Sequence, residues 1–468
     1  MLFILLRKMT NYVCEKCSKS FKQKGHYEVH KKRKTPCKKP DFEKLIEQKV
    51  QEALLQHGID TSEKIASPIT STEIEPQTNP LPLPQTKTTQ IVLQTSEAEQ
   101  ELKNDYVYQT MLTCIGNKRK LVSNIQTIAN SVREKVNKPK LNIVDGFAGS
   151  TVVSRELSYM ANDLHVNDME LYSYLMAQCF LKQPSSKDQI QIQNHINKMN
   201  CMAETGPYTP GIICKLYAPK ETKNIQEGER CFYTRENALI IDTLRGYIDK
   251  EVEPRLKQYC LVPLLTKASI HTNTAGVFKG FYKNGNVGCF GGKGEFALSR
   301  IMKPIRLEMP IWNDEEYKAF TYREDINTLV KKLPNNIDLI YLDPPYNQHP
   351  YGSNYFMLNV IAKNEEPHDI SKVSGIPADW QKSAYNTQKT AVESMTSLLH
   401  DCLEKSNYVL LSYNNEGIIK EEEWATIFDA NYDVQKYEIV YDTFKGSRNL
   451  KNRSNKVIEI MYLISKKQ

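Results

Sequence analysis

The run Ile337-Asp338-Leu339-Ile340-Tyr341-Leu342 passes directly into Asp343-Pro344-Pro345-Tyr346. Two successive prolines have no N–H to donate and hold φ near −65°, so a strand over the apolar run has to stop there. Such a strand end presents a carboxylate, carbonyls left out of any ladder, and an aromatic face. That set suits a planar base carrying an exocyclic amino group. The Asp343 carboxylate and the Pro344 carbonyl can grip both amine protons, pull the nitrogen toward a tetrahedral geometry and localise its lone pair. Tyr346 can stack on the base, an interaction of about 1–3 kcal/mol. Taken alone, the tetrapeptide also reads as an ordinary proline-rich turn with a capping Asp.

The surrounding chain is long enough to bury a core around this turn. Its 468 residues imply more than one domain. A net charge of +7 is a mild bias toward polyanions. The eleven cysteines show no regular framework outside the N-terminus, which fits reduced thiols in an intracellular protein. No apolar run approaches the length needed to span a bilayer, so no membrane partner is expected. Leu2–Leu6 is too short for a signal sequence and is followed by Arg7-Lys8. Met9 is an alternative start.

Composition divides the chain. Residues 11–40 are short, basic and rich in Cys and His. Residues 41–58 have helical apolar spacing behind an Asp41 cap. Residues 59–104 are rich in Ser, Thr, Pro, Gln and Glu and read as a disordered linker. From 105 to 468, strand-like runs alternate with helical patterns, which indicates an α/β fold.

In the first segment, Cys14 and Cys17 form a C-x2-C pair, followed by Phe21, His30 and Cys37. Two thiolates on a hairpin, a His on a following helix and a further Cys can close a tetrahedral zinc site. His26, one helical turn before His30, is an alternative ligand. The pattern resembles the C2H2 zinc finger with Cys37 in place of the last His, and such a finger would be unfolded without metal. A disordered basic tail is the other reading. Lys31-Lys32-Arg33-Lys34 and Lys38-Lys39 add charge beside it.

Leu141–Ser150 (LNIVDGFAGS) reads as a strand, a glycine turn and a helix start. Small residues there let the backbone approach a ligand at the strand's carboxyl end. The next strand, Leu164–Asn167, ends at Asp168, which either holds ribose hydroxyls or caps the helix after it. Upstream, Cys114-Ile115-Gly116-Asn117-Lys118 places a Gly and a Lys at a helix start, where a ligand carboxylate can sit.

Taken in order, these strings resemble the DNA adenine-N6 methyltransferases of the Dam and type II modification methylase group. In that family I-G-x-K precedes F-x-G, and a variable target-recognition region separates F-x-G from D-P-P-Y. The strings CFYTRENA (231–238), NTAGVF (273–278), Asn354-Tyr355 and LSYNNEG (411–417) also look like family signatures.

The resemblance implies a Rossmann-like, S-adenosylmethionine-dependent methyltransferase sheet with an inserted target-recognition region at 180–310, beside the small N-terminal finger. It implies that Cys114, Gly116 and Lys118 contact or shape the cofactor site, and that Asp145, Phe147, Ala148 and Gly149 line its methionine part. Asp168 would take the ribose and Asp325 the cofactor's adenine. Asp343, Pro344, Pro345 and Tyr346 would form the catalytic turn.

The implied reaction is direct methyl transfer to a flipped adenine in double-stranded DNA, with a monomer favoured. The competing expectations are an amine or amide methyltransferase acting on RNA or protein, and an inactive DNA-binding module. The basic stretch Phe444–Lys456 is either a phosphate-gripping hairpin or a charged surface turn. Fusion of a finger to a methylase of this kind points to a large DNA virus or a mobile element.

Overall fold

The structure, a computed structural model, describes residues 12–13, 20–21, 87–89, 105–108, 112, 116–292, 294–295, 297–428, 430–442 and 456–467. The chain divides into two units, Met1–Pro80 and Leu81–Gln468. In the first, β1 (Tyr12–Val13) and β2 (Ser20–Phe21) pair antiparallel, with Tyr12 opposite Phe21. They flank the segment that carries Cys14 and Cys17. Those two residues, His30 and Cys37 lie outside the described residues, as does the expected helix at 41–58.

In chain order, the strands of the second unit are β3 (Lys87–Thr89), β4 (Leu141–Asp145), β5 (Ala161–Asn167), β6 (Lys283–Asn284), β7 (Val287–Gly288), β8 (Lys318–Tyr322), β9 (Ile337–Leu342), β10 (Ser406–Asn414), β11 (Tyr432–Asp442) and β12 (Lys456–Lys466). The short β6 and β7 pair with each other, and the other eight form one sheet in the order β3-β11-β12-β10-β9-β4-β5-β8. Every neighbouring pair is parallel except those made by β12, which runs antiparallel to β10 and β11. β3 falls within the stretch expected to be a linker and adds to the edge beside β11.

The central strands are buried on both faces, as a largely parallel sheet between helical layers requires. On β9 all six residues are buried. Leu339 and Tyr341 join an apolar cluster with Ile125, Ile128 and Val132 of the helix Val122–Lys135. Ile340 and Leu342 join another with Met395, Leu398 and Leu399 of the helix Gln388–Lys405.

A third cluster is mainly helical. It gathers the helices Leu171–Leu181, Ser186–Thr205, Arg235–Glu251 and Lys257–Ile270, inserted between β5 and β8, with Phe356–Lys363 from after β9. The expected target-recognition stretch is thus built largely on helices. No helix among the described residues is long and apolar enough to cross a membrane.

From β4 the chain moves one way through β5 to β8, then returns to the other side of β4 with β9 and β10. The order reverses between β4 and β9, and open α/β sheets bind ligands outside the carboxyl ends of strands at such a switch. Asp145 ends β4, and Asp343 follows the last residue of β9.

Candidate active site

The β9 end is tied to β4 by the Gly146 N–H, which donates to the Tyr341 carbonyl at 2.9 Å. Beyond it the prolines end the ladder. Asp343 comes to rest beside Lys118, whose Nζ lies 2.7 Å from Asp343 Oδ1 and 2.9 Å from Glu459 Oε1. Lys118 is 3% exposed, and Glu459, on β12, is fully buried. The Ser412 hydroxyl on β10 donates to Glu459 Oε1 at 2.6 Å. Burial pulls the Lys118 pKa down, but Asp343 and Glu459 outweigh it and hold the ammonium well above the ordinary lysine value. Burial pushes the Asp343 carboxyl up to about 6, with Lys118 opposing and Glu459 adding to the rise.

Gly116 sits at φ +77°, a left-handed conformation that suits glycine. Tyr346 packs over it, with its ring 5.4 Å from the Lys118 ammonium and edge-on to Tyr413. The Tyr346 carbonyl accepts from the Ile418 N–H at 2.9 Å, which anchors the Asp343–Tyr346 turn to the segment after β10.

On the β4 side, the Ser154 hydroxyl donates to Asp145 Oδ2 at 2.5 Å, while the buried Oδ1 has no hydrogen-bond partner. Burial pushes the Asp145 carboxyl up to about 7, aided by the nearby Asp343 charge and opposed by Ser154. Phe147 meets Tyr385 edge-on. Gly149, at φ +52°, turns its N–H onto Asp168 Oδ2 at 2.7 Å, and Asp168 Oδ1 accepts from the Glu170 N–H at 2.8 Å. Asp168 therefore clamps the glycine turn to the start of the helix Leu171–Leu181. Burial raises its pKa against these two backbone bonds. Each carboxylate oxygen still has a second lone pair for a ligand.

One cleft joins these parts. Gly116, Lys118, Asp145, Phe147, Ala148, Gly149, Asp168, Asp343 and Pro345 all line it. Pro344 is buried and Tyr346 half-buried, and neither is among the lining residues. Asp325 is also outside the lining. Its carboxylate caps the helix Ile326–Leu329 by accepting from the Thr328 N–H at 3.3 Å. Cys114 lies outside the described residues.

Sequence reading missed several members of the cleft. Tyr341 contributes a buried hydroxyl with no partner. Glu170, pushed up to about 7 by burial and the Asp168 charge, is held by Asn359 Nδ2 at 2.6 Å. Asn386 donates to the Asn347 carbonyl at 2.7 Å, just ahead of the helix that begins at Gln388. It lines the cleft with Gln381, Lys382 and Ser383. Glu459 carried one signal, a charged residue between apolar neighbours on a core strand.

A family model for the D12 class N6 adenine-specific DNA methyltransferases matches residues 115–427. The chain belongs to this family. It is similar to the type II methyltransferase M.NlaIII of Neisseria lactamica, at 27% identity over 370 residues, covering 75% of this chain and 98% of that protein. It is 27% identical over 318 residues to the type II methyltransferase M.CviAII of Paramecium bursaria Chlorella virus 1, covering 67% of this chain and 86% of the relative. It is also 28% identical over 374 residues to the modification methylase StsI of Streptococcus sanguinis, covering 75% of this chain but 52% of that longer protein.

Methyltransferases of this class take their methyl group from S-adenosyl-L-methionine, and the cleft residues fit such a donor. The unpartnered Asp145 Oδ1 suits an ammonium group. The Phe147 ring offers an apolar face, and the position of a Gly149 Cβ has no atom within 4 Å. Asp168 retains acceptor capacity for hydroxyls.

Proposed function

We propose that this DNA adenine methyltransferase acts on specific sites in double-stranded DNA, as a type II modification methylase, and that Asp343 is its base clamp. The observation that carries this reading is the placement of Asp343 in the same cleft as Asp145, Phe147 and Asp168. A flipped adenine presented beside Asp343 has its amine gripped by the Asp343 carboxylate and the Pro344 carbonyl, with Pro345 holding the turn and Tyr346 stacking on the ring. Asp145, Phe147, Ala148 and Gly149 hold the methionine part of the donor, and Asp168 takes its ribose. Gly116 and Lys118, with Cys114, shape the site from the other side, and Asp325 serves the donor's adenine. The bound donor supplies an electrophilic methyl group. The protein supplies alignment and fixed charges, which act without reorganising during the reaction.

The helical insert over 180–310 is the part that chooses the DNA sequence, and residues 105–468 form the catalytic domain. The segment 11–40 forms a zinc finger through Cys14, Cys17, His30 and Cys37. The β1–β2 hairpin around its C-x2-C pair supports that reading. The segment tethers the enzyme to DNA, with 41–58 as a helix and 59–104, apart from β3, as the linker. β11 and β12 converge as a hairpin on the basic stretch 443–455, which fits a phosphate contact. The viral relative supports an origin in a large DNA virus or mobile element, acting wherever its DNA lies.

The test is methyl transfer from labelled cofactor to DNA, RNA or protein by the purified chain, followed by sequencing of modified bases in a host that expresses it. Label in N6-methyladenine at one DNA motif is expected. Label in RNA or protein alone would overturn the assignment.

A further inference from the structure

The Lys118 ammonium touches two carboxylates, and the family motifs account for only one of them. Asp343 belongs to the catalytic turn. Glu459 comes from β12, the antiparallel strand, and lies outside the matched residues 115–427. A fully buried glutamate in a core strand is costly unless it is paired and hydrogen-bonded. Here it takes Lys118 Nζ at 2.9 Å and the Ser412 hydroxyl at 2.6 Å. A lysine with Asp343 as its one counter-charge would concentrate its ammonium on the oxygens that have to accept from the substrate amine.

We propose that Glu459 is a positioning residue for methyl transfer: it takes a share of the Lys118 ammonium and so leaves the Asp343 carboxylate able to grip the target amine. This rests on the reading of Asp343 as the base clamp. The groups that act on Asp343 are Lys118 and Glu459 directly, with Asp145, Tyr341, Tyr346 and Tyr351 coupled to its charge. Of these, Glu459 raises the Asp343 pKa and Lys118 lowers it. Replacing Glu459 by a neutral isostere moves the Asp343 pKa down. Simple loosening of Lys118 moves it up. The two explanations therefore give opposite shifts.

The test is Glu459→Gln in the full chain, with transfer to DNA followed against pH. The expected result is a fall in kcat of about tenfold or more, cofactor affinity within about threefold of wild type, and an acid limb displaced to lower pH. An acid limb that stays in place or moves to higher pH would overturn the proposal. If Glu459→Gln does not fold, the variant carrying Lys118→Met and Glu459→Gln together removes both charges and leaves neither unpaired. Its kcat should be no lower than that of Lys118→Met alone, because without Lys118 the Glu459 carboxylate has no ammonium to share and only repels the Asp343 charge. An additional loss in the double variant would refute it. Wild-type protein that transfers nothing to DNA would instead defeat the base-clamp reading itself.

Discussion

A Cβ on Gly116 would stand 2.6 Å from the Tyr346 hydroxyl oxygen and 3.1 Å from that of Tyr351. The turn that leads into Lys118 and the aromatic that follows Asp343 are therefore shaped to each other, although they lie far apart in the chain. Glycine at 116 serves both the left-handed backbone and this close approach.

Gly116→Ala should lower stability by about 1–2 kcal/mol from backbone strain alone, with a further loss as Tyr346 is displaced. Adding Tyr346→Phe removes the closest oxygen and leaves the ring carbon at an ordinary 3.4 Å. The double variant should then be more stable than Gly116→Ala. Thermal unfolding of the three proteins checks this; a double variant no more stable than the single one would contradict it.

Asp343→Ala should abolish transfer, and Asp343→Asn should cost at least about 10²-fold in kcat, comparable to removing one preorganised partner of a transition state. Cofactor binding should survive in both. Single-turnover transfer alongside calorimetric titration of the cofactor separates the two effects.

In the proposed role Asp343 accepts from the amine best as a carboxylate, since protonation turns one of its oxygens into a donor. With its pKa near 6, kcat/KM should fall as pH drops through about 6. A profile flat down to pH 5 would argue against Asp343 as the acceptor.

Asp145 behaves differently in the folding equilibrium. Its carboxyl titrates at about 7 in the folded protein against 3.8 as the ordinary value. The folded state therefore holds the proton more tightly. The resulting stabilisation is complete below about pH 4 and is lost as pH rises through 7. Asp145→Asn keeps an oxygen for the Ser154 hydroxyl and cannot ionise. It should match wild type near pH 4 and exceed it in Tm at pH 8, while cofactor affinity collapses. Equal Tm values at both pH values would count against a strained carboxylate.

Chelation of zinc, or Cys14→Ser, should weaken DNA binding while leaving cofactor affinity unchanged, because the linker separates finger from cleft. Fluorescence anisotropy with labelled DNA and titration of the cofactor give the two readouts. Loss of cofactor binding on chelation would count against that separation.

The β9 strand and its terminal turn were legible because an apolar run and two prolines are local signals. Asp168 was legible in position and open in role. The structure has it hold the Gly149 and Glu170 N–H groups, a backbone task that sequence cannot distinguish from ligand binding. Lys118 was read from its helix-start position, but its engagement with Asp343 and Glu459 depends on strand order across the sheet. Asn386 stands just ahead of a helix, where Asn is a common cap. Its bond to the Asn347 carbonyl depends on where the loop after β9 runs. Glu170 and Tyr341 belong to the cleft through tertiary placement that no short motif carries.

Glu459 sits on the last strand described, well beyond the span that carries the family motifs. A ribosome translating this chain completes Lys118, the glycine turn after β4 and Asp343 long before it reaches residue 459. Until β12 emerges and slots in antiparallel between β10 and β11, the buried lysine lacks its second counter-charge. On the Glu459 proposal, a gene truncated just after its recognisable motifs would encode a protein that keeps every matched family residue and lacks this counter-charge.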